Sequence, residues 1–195
     1  MAVVDDNRNI ELIAGHIEEI IKLLGEDCTR EGLLKTPIRS AKALYYLTSG
    51  YRANIDAVVH QALFEHEGSQ IVMVKNIEFY SMCEHHILPF FGTVTVAYVP
   101  DGEMIGLSKL PRLVNAIARK LQVQERLTAE ICREIKETLS VKGVMCQCRA
   151  QHLCMQMRGV EKQLSTTVTT DYNGIFETDP ILRQEFYAML SQQAR

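Results

Sequence analysis

The chain has 195 residues, 47% of them hydrophobic and 23% charged, with a formal net charge of −3. That is enough apolar material for a real core in one domain with a small helical appendage, and it lacks the basic surplus expected of a nucleic-acid binder. No apolar run reaches the roughly 18–20 residues of a membrane span and Met1–Asn9 carries no signal-peptide core, so the expected setting is cytoplasmic, with no membrane partner.

In chain order, the first pattern is Ile10, Ile13, Ile17, Ile20, Ile21 and Leu24 at helical spacing, with Glu11, Glu18, Glu19 and Lys22 on the other face. Gly25 is the expected stop. The short segment ahead of this helix offers no regulatory arm. A second helix is expected from Thr36 as N-cap and Pro37 in the first turn to about Ser49-Gly50. Arg39 and Lys42 share one face of it; by residue type alone that face is a solvated basic edge. Residues 54–65 read as one more short helix.

At Gly68-Ser69 the period changes. Ile71–Val74, Ile77–Tyr80 and Thr93–Val99 are rich in β-formers, and the last ends at the turn signal Pro100-Asp101-Gly102. The Cys83–Phe91 stretch therefore connects two strands, with Pro89 and Gly92 expected to bend it. Ser108 is a candidate N-cap for a long helical pattern, Leu113, Ile117 and Leu121, then Leu127, Ile131, Ile135 and Leu139, with a break at Gln122-Val123-Gln124. Gly143 is the expected end. Val144–Met157 and Ser165–Thr170 read as two further strands, and Asp179-Pro180 starts a last helix to about Gln192. The order predicts an α+β fold, an antiparallel sheet with helices packed on one face.

Within Ser81-Met82-Cys83-Glu84-His85-His86, Cys83 and His86 stand in a C-x-x-H spacing, which lets one turn offer a thiolate and an imidazole to a single Zn²⁺. The six cysteines, Cys28, Cys83, Cys132, Cys146, Cys148 and Cys154, favour metal or free thiols over a disulfide framework in a chain without a secretion signal. If 146–154 is one unbroken strand, Cys146, Cys148, His152 and Cys154 share a face. Parity then permits Cys148, His152 and Cys154 alike as further ligands. A catalytic zinc keeps a fourth position open, whereas a structural one is closed by four side chains. By spacing, a closed set of Cys83, His86, Cys148 and Cys154 stands beside the catalytic alternative.

Longer motifs carry a resemblance. Cys83-Glu84-His85-His86-Ile87-Leu88-Pro89-Phe90-Phe91-Gly92, Gly106–Arg112, Gln122-Val123-Gln124-Glu125-Arg126-Leu127 and His152–Gly159 are similar to signatures of the GTP cyclohydrolase I family, in the same order, and the similarity runs to Phe186. The resemblance implies Cys83, His86 and Cys154 as zinc ligands, with His85 and His152 as catalytic histidines. Glu125, with Gln124 beside it, corresponds to the grip on the guanine edge. Ser108, Lys109, Arg112 and Arg158 correspond to triphosphate contacts, and Arg39 and Lys42 to further ones from a neighbouring subunit. It also implies a T-fold of two hairpins with helices on one face, residues 68–195, after an N-terminal helical segment, residues 1–67. Such subunits form a homodecamer of two stacked rings with active sites at subunit interfaces. One departure is Arg149, where members commonly carry an acid; with Cys146 and Cys148 it implies altered local electrostatics and thiols able to compete for metal or oxidise.

The implied reaction opens the imidazole ring of GTP at C8, releases formate, rearranges the ribose and closes 7,8-dihydroneopterin triphosphate, the first step of a folate or other pterin route. C8 is a poor electrophile, so protonation at N7 helps, with His152 the candidate acid. Zinc supplies a nucleophile from water near neutral pH, and His85 suits proton shuttling. A carboxylate at Glu125 accepts from guanine N1–H and the 2-amino group and rejects adenine. Three alternatives remain on sequence grounds: a T-fold nitrile reductase, which would consume NADPH; a structural zinc protein or inactive assembly subunit, which would show a saturated site; and a GTP-opening enzyme that stops early or makes a different pterin.

Overall fold

Helix α1 (Asp6–Leu23) and helix α2 (Thr36–Leu47) form most of one unit, residues 1–49; a second unit comprises residues 50–195. The computed structural model describes residues 6–55, 57, 63–68 and 70–192. α1 packs on α2, yet it buries none of its residues within this chain. Thr36 is the first helical residue of α2 and not its cap. Lys35 holds the cap position without a side-chain bond, and the Thr36 hydroxyl donates to Gly32 O at 3.3 Å.

Of the helix expected over 54–65, residues 56 and 58–62 lie outside the described residues. Ile55 and Ala57 are helical, but the end of the stretch is extended. Strand β1 (Leu63–His66) pairs antiparallel with the segment Gly102–Ile105, Phe64 opposite Met104. A cross-strand partner forty residues away in sequence outweighs local helix preference there.

The main sheet is built from β2 (Val72–Cys83) and β3 (Pro89–Pro100), then, past β4 (Gly102–Ile105), from β5 (Leu121–Gln122), β6 (Val141–His152) and β7 (Thr167–Gly174). Its order is β5-β2-β3-β6-β7. β2-β3, β3-β6 and β6-β7 are antiparallel and β5-β2 is parallel. The two expected segments 71–74 and 77–80 are one strand interrupted by a register shift between Val74 and Ile77, where Asn76 takes φ 58°. Asparagine tolerates that left-handed conformation better than most residues.

Alternation assigns the faces. Val94, Val96 and Tyr98 join the main core with Val144, Cys146 and Cys148, under α3 (Lys109–Ala118) and α4 (Gln124–Thr138). α4 buries Gln124, Leu127, Thr128, Ile131, Cys132 and Ile135, one stripe at helical spacing. The two longer helices α3 and α4 therefore lie on one face, as the sequence pattern predicts. After the short helix α5 (Leu153–Gln156), which follows β6 directly, come α6 (Ile175–Thr178) and α7 (Pro180–Ser191). Their Phe176 and Phe186 meet Ala97, Val99 and Met145 on the opposite face of the sheet.

Two boundaries differ from expectation for steric reasons. α4 ends at Thr138, and Gly143 lies inside β6. A Cβ at Gly143 would meet Asn173 O and Ile175 N, each at 2.7 Å, so the close passage of the neighbouring chain requires the glycine. Likewise Gly92 does not bend the chain; it sits in β3 opposite Phe79 and Ala150, where a Cβ would lie 2.0 Å from Arg149 O. Among the described residues no helix is long and apolar enough to cross a membrane.

α7 begins as its sequence announces. Asp179 accepts from Ile181 N at 2.8 Å and Leu182 N at 3.2 Å, and Pro180 opens the helix. The helix then carries Phe186 into full burial. Asp179→Ala should lower the unfolding free energy by about 1 kcal/mol, read from urea denaturation against Glu185→Ala as an exposed control; equal effects would show that the cap does not hold the helix.

Candidate active site

Two chain segments meet at the end of the β2-β3-β6 ladder. β2 ends at Cys83, residues 84–88 turn, and β3 starts at Pro89. Cys83 N donates to Leu88 O at 2.8 Å and Ile87 N to Cys83 O at 2.8 Å. Ile87 holds φ 53°, a conformation rare for a β-branched residue. The turn closed in this way leaves Cys83 Sγ 3.9 Å from His86 Nδ1 and 3.9 Å from His85 Nδ1.

The second segment is the end of β6. His152 is its last residue, directly opposite Phe90 of β3, and the two rings stack at 4.7 Å with an interplanar angle of 1°. The strand does not continue to Cys154, so parity does not place that residue. α5 starts at Leu153, and its helical rotation brings Cys154 round to the turn. Cys83, His86 and Cys154 thereby gather with ligand atoms within 4.8 Å of one another. Bonds of about 2.0–2.3 Å to a shared tetrahedral ion would set ligand atoms about 3.4–3.8 Å apart, so a small inward adjustment completes the site. Two thiols and an imidazole suit a borderline-soft divalent metal.

The closed four-residue set is not assembled. Among the described residues the group consists of Cys83, His86 and Cys154. Cys148 and Cys146 are fully buried in the main core, under α4. Burial pushes the Cys148 thiol up to about 12, and burial with the adjacent Cys132 raises Cys146 well above its ordinary value. These thiols stay protonated and compete poorly for metal. Cys154 is also raised, by burial and by the Cys83 thiol beside it; a bound cation reverses that preference. Arg149 is exposed on the face away from α3 and α4, beside Thr93 and Gln151. By strand alternation it points away from His152's neighbours in the core, which weakens the expected electrostatic effect.

The Gln122–Arg126 motif spans the short strand β5 and the start of α4 and sends successive side chains to different tasks. Gln122 is buried; its Nε2 donates to Glu130 Oε2 at 2.8 Å, and Lys120 Nζ closes on Glu130 Oε1 at 2.6 Å. Gln124 is only 1% exposed. Its Nε2 lies 3.1 Å from Cys148 O, 3.1 Å from Thr167 O and 3.2 Å from Thr169 Oγ1, and its Oε1 is 2.7 Å from His152 Nε2. Gln124 is thus turned inward, where the resemblance sets it beside Glu125 at the guanine. Glu125 is exposed in the first turn of α4. Burial pushes the His152 imidazole down from its ordinary value, and the Glu125 carboxylate pulls it the other way.

Arg126 latches the metal turn. Its guanidinium pairs with the Glu84 carboxylate, its Nε donates to Gln122 Oε1 at 2.9 Å and its NH2 to Leu121 O at 3.1 Å. That guanidinium holds the Glu84 carboxyl below the usual range, and Glu84 N donates to Gln122 O at 3.0 Å. A carboxylate next in sequence to Cys83 is thereby kept on a fixed partner. Phe90, Glu84 and Arg126 stand inside the recognised motifs, but only the sheet register reveals their tasks.

Of the phosphate-contact candidates, Arg158 is exposed and donates to His86 Nε2 at 3.1 Å, at the lip of the cluster. Ser108 holds the cap position of α3 without a side-chain capping bond. Lys109 follows with its stem buried, 8% exposed, and Arg112 is exposed one turn on. Among the described residues no hydrogen bond or ion pair joins these three to the cluster within one chain. Arg39 and Lys42 are exposed on α2 in the other unit.

The fold and the cluster together describe an α+β enzyme with a Cys-His-Cys group able to hold a metal. The family model for GTP cyclohydrolase I matches residues 13–191, and the chain belongs to that family, whose enzymes convert GTP to dihydroneopterin triphosphate and form oligomers. The GTP cyclohydrolase 1 of Porphyromonas gingivalis is 49% identical over 193 residues, covering 99% of this chain and 100% of its own. That of Leptospira biflexa is 53% identical over 174 residues, 89% of this chain and 95% of its own. That of Campylobacter jejuni is 47% identical over 175 residues, 90% and 92%.

Arg126→Met keeps the packing stem and removes the latch. It should weaken binding of a divalent metal about tenfold, measured by chelator competition, at unchanged metal stoichiometry. Equal affinity in variant and parent would show that the Glu84 pairing does not support the turn.

Proposed function

We propose that this chain is a zinc-dependent GTP cyclohydrolase I that opens GTP at C8, releases formate and forms 7,8-dihydroneopterin triphosphate. The observation that carries the reading is the three-residue Cys83, His86 and Cys154 cluster with His85, His152 and Glu125 around it. Three donors leave a tetrahedral position free, as a catalytic site needs and a structural one does not. The metal in this reading is zinc, held by Cys83, His86 and Cys154; when bound it supplies the Lewis acidity that makes water a nucleophile near neutral pH.

The remaining work falls to side chains. Glu125 accepts from the guanine N1–H and 2-amino group and so orients the base and selects against adenine. His152, its ring plane set by Phe90, delivers a proton to N7 and makes C8 a better electrophile. His85 is exposed beside the cluster and free to move protons as the C8–N bonds break, formate departs and the ribose rearranges. Ser108, Lys109, Arg112 and Arg158 bind the triphosphate, with Arg39 and Lys42 supplied by a neighbouring subunit.

Residues 68–195 act in this reading as one catalytic unit behind the N-terminal helical segment. The working form is a cytoplasmic homodecamer of two stacked pentamers with shared active sites. Leu12, Ile20 and Leu23 of α1 are exposed and are surface that assembly would bury.

Incubation of the zinc-loaded protein with GTP should release formate and leave a product that oxidises to a fluorescent pterin. His85→Asn and His152→Asn should each lower kcat by about 10²- to 10⁴-fold while metal content holds. Turnover by both variants at the parent rate would sink the assignment, and NADPH consumption on a deazaguanine nitrile would point to a reductase instead.

A further inference from the structure

We propose that Gln124 is a positioning residue that fixes the tautomer of His152, protonated at Nε2, so that Nδ1 is the ring nitrogen that exchanges a proton with substrate. The inference rests on the reading above only in giving His152 a part in the reaction.

Valence settles the orientation of the amide. The nitrogen end of Gln124 faces two main-chain carbonyls, Cys148 O and Thr167 O, each at 3.1 Å. A carbonyl oxygen only accepts, so a flipped amide would set oxygen against oxygen at two contacts. The surrounding hydroxyls agree with this choice. Thr128 Oγ1 donates its one proton to Gln124 O at 2.8 Å, so across the 2.6 Å contact between hydroxyls Thr169 is the donor. Thr169 Oγ1, 3.2 Å from Gln124 Nε2, is then an acceptor that shares one of the two amide hydrogens with a carbonyl.

With the nitrogen committed, Gln124 Oε1 is the atom that faces His152 Nε2, at 2.7 Å. An amide oxygen cannot donate, so Nε2 carries the hydrogen. Gln124 is 1% exposed, and water offers the ring nitrogen no easy substitute. Phe90, fully buried and parallel to the imidazole at 4.7 Å, sets the ring plane. The glutamine then decides which edge of that plane points inward. The two constraints come from different elements, β3 and the first turn of α4, and together leave Nδ1 as the free nitrogen: it takes up a proton to form the imidazolium, gives that proton to substrate and returns to the Nε2–H tautomer. Base recognition is correspondingly left to Glu125, because the Gln124 amide is already bonded to the protein.

The test uses full-length, zinc-loaded protein labelled with ¹⁵N-histidine and observed by magic-angle-spinning NMR. Loss of signals in His152→Asn assigns the ring. The parent should show His152 protonated at Nε2, and Gln124→Met should show a mixture of both tautomers. The Met variant should lose about tenfold or more in kcat, with KM for GTP within about twofold and zinc content unchanged.

A parent ring protonated at Nδ1 overturns the proposal, whatever the variants do. So does a Met variant with the parent kcat, or one whose only change is a raised KM, the mark of a lost base contact. If the Met variant does not fold, the parent spectrum decides: a ring protonated at Nε2 supports the proposal and one protonated at Nδ1 overturns it. A His152→Asn variant with full activity would instead strike the role given to His152 while leaving the tautomer assignment to the spectrum.

Discussion

The register between β3 and β6 is the constraint on which the site depends. It places His152 opposite Phe90 at the last rung of the ladder, one step before the chain turns into α5. A shift of one residue would send His152 to the other face of the sheet and carry Cys154 away from the β2-β3 turn. The register is held by what lies further along the same strands. Val94, Val96 and Tyr98 pair with Cys148, Cys146 and Val144, and all six are fully buried under the helices. A slip would expose that whole row, at roughly 1.5–3 kcal/mol for each large apolar side chain. The chemistry at the end of the ladder is thus held in place by hydrophobic burial in its middle.

The start of α4 shows how one short motif serves several needs through helical geometry. Gln124 points into the core and Glu125 outward, and Arg126 reaches back to Glu84. Successive helical residues differ by about 100° in direction, so neighbours in sequence can serve a buried network, a solvent-facing site and a remote loop. The parallel pairing of β5 on β2 brings this motif beside the metal turn, with Cys83 opposite Gln122. The turn is therefore supported from two sides, by its own hairpin bonds and by the Arg126 latch.

Much of this was legible in the residues. The hairpin strands, the split of the long helical pattern at 122–124, the Asp179-Pro180 helix start and the C-x-x-H turn all follow from local signals that tertiary contacts reinforce. Expectation and structure differ where a local signal has a tertiary cause. Gly92 and Gly143 read as a bend and a helix stop, yet each marks a place where another backbone passes too close for a Cβ. Residues 63–65 read as helix, yet they are extended because β4 offers a pairing partner. Strand parity left Cys148, His152 and Cys154 equivalent, because parity assumes an unbroken strand and β6 breaks at His152.

By itself the sequence determined which residue types were available for the chemistry: two thiols and an imidazole for a metal, two further histidines, a carboxylate for a base and several cations for phosphate. Local spacing was enough for that, because Cys83 and His86 belong to one turn. Tertiary structure alone decided which thiol completes the group, that Cys146 and Cys148 are core residues, and that Gln124 faces His152 and not solvent. Those outcomes depend on contacts between segments tens of residues apart, whose relative direction is set by sheet register and helix rotation. A one-residue change reverses the direction of a side chain in a strand and turns it by about 100° in a helix, and no local pattern in the chain encodes it.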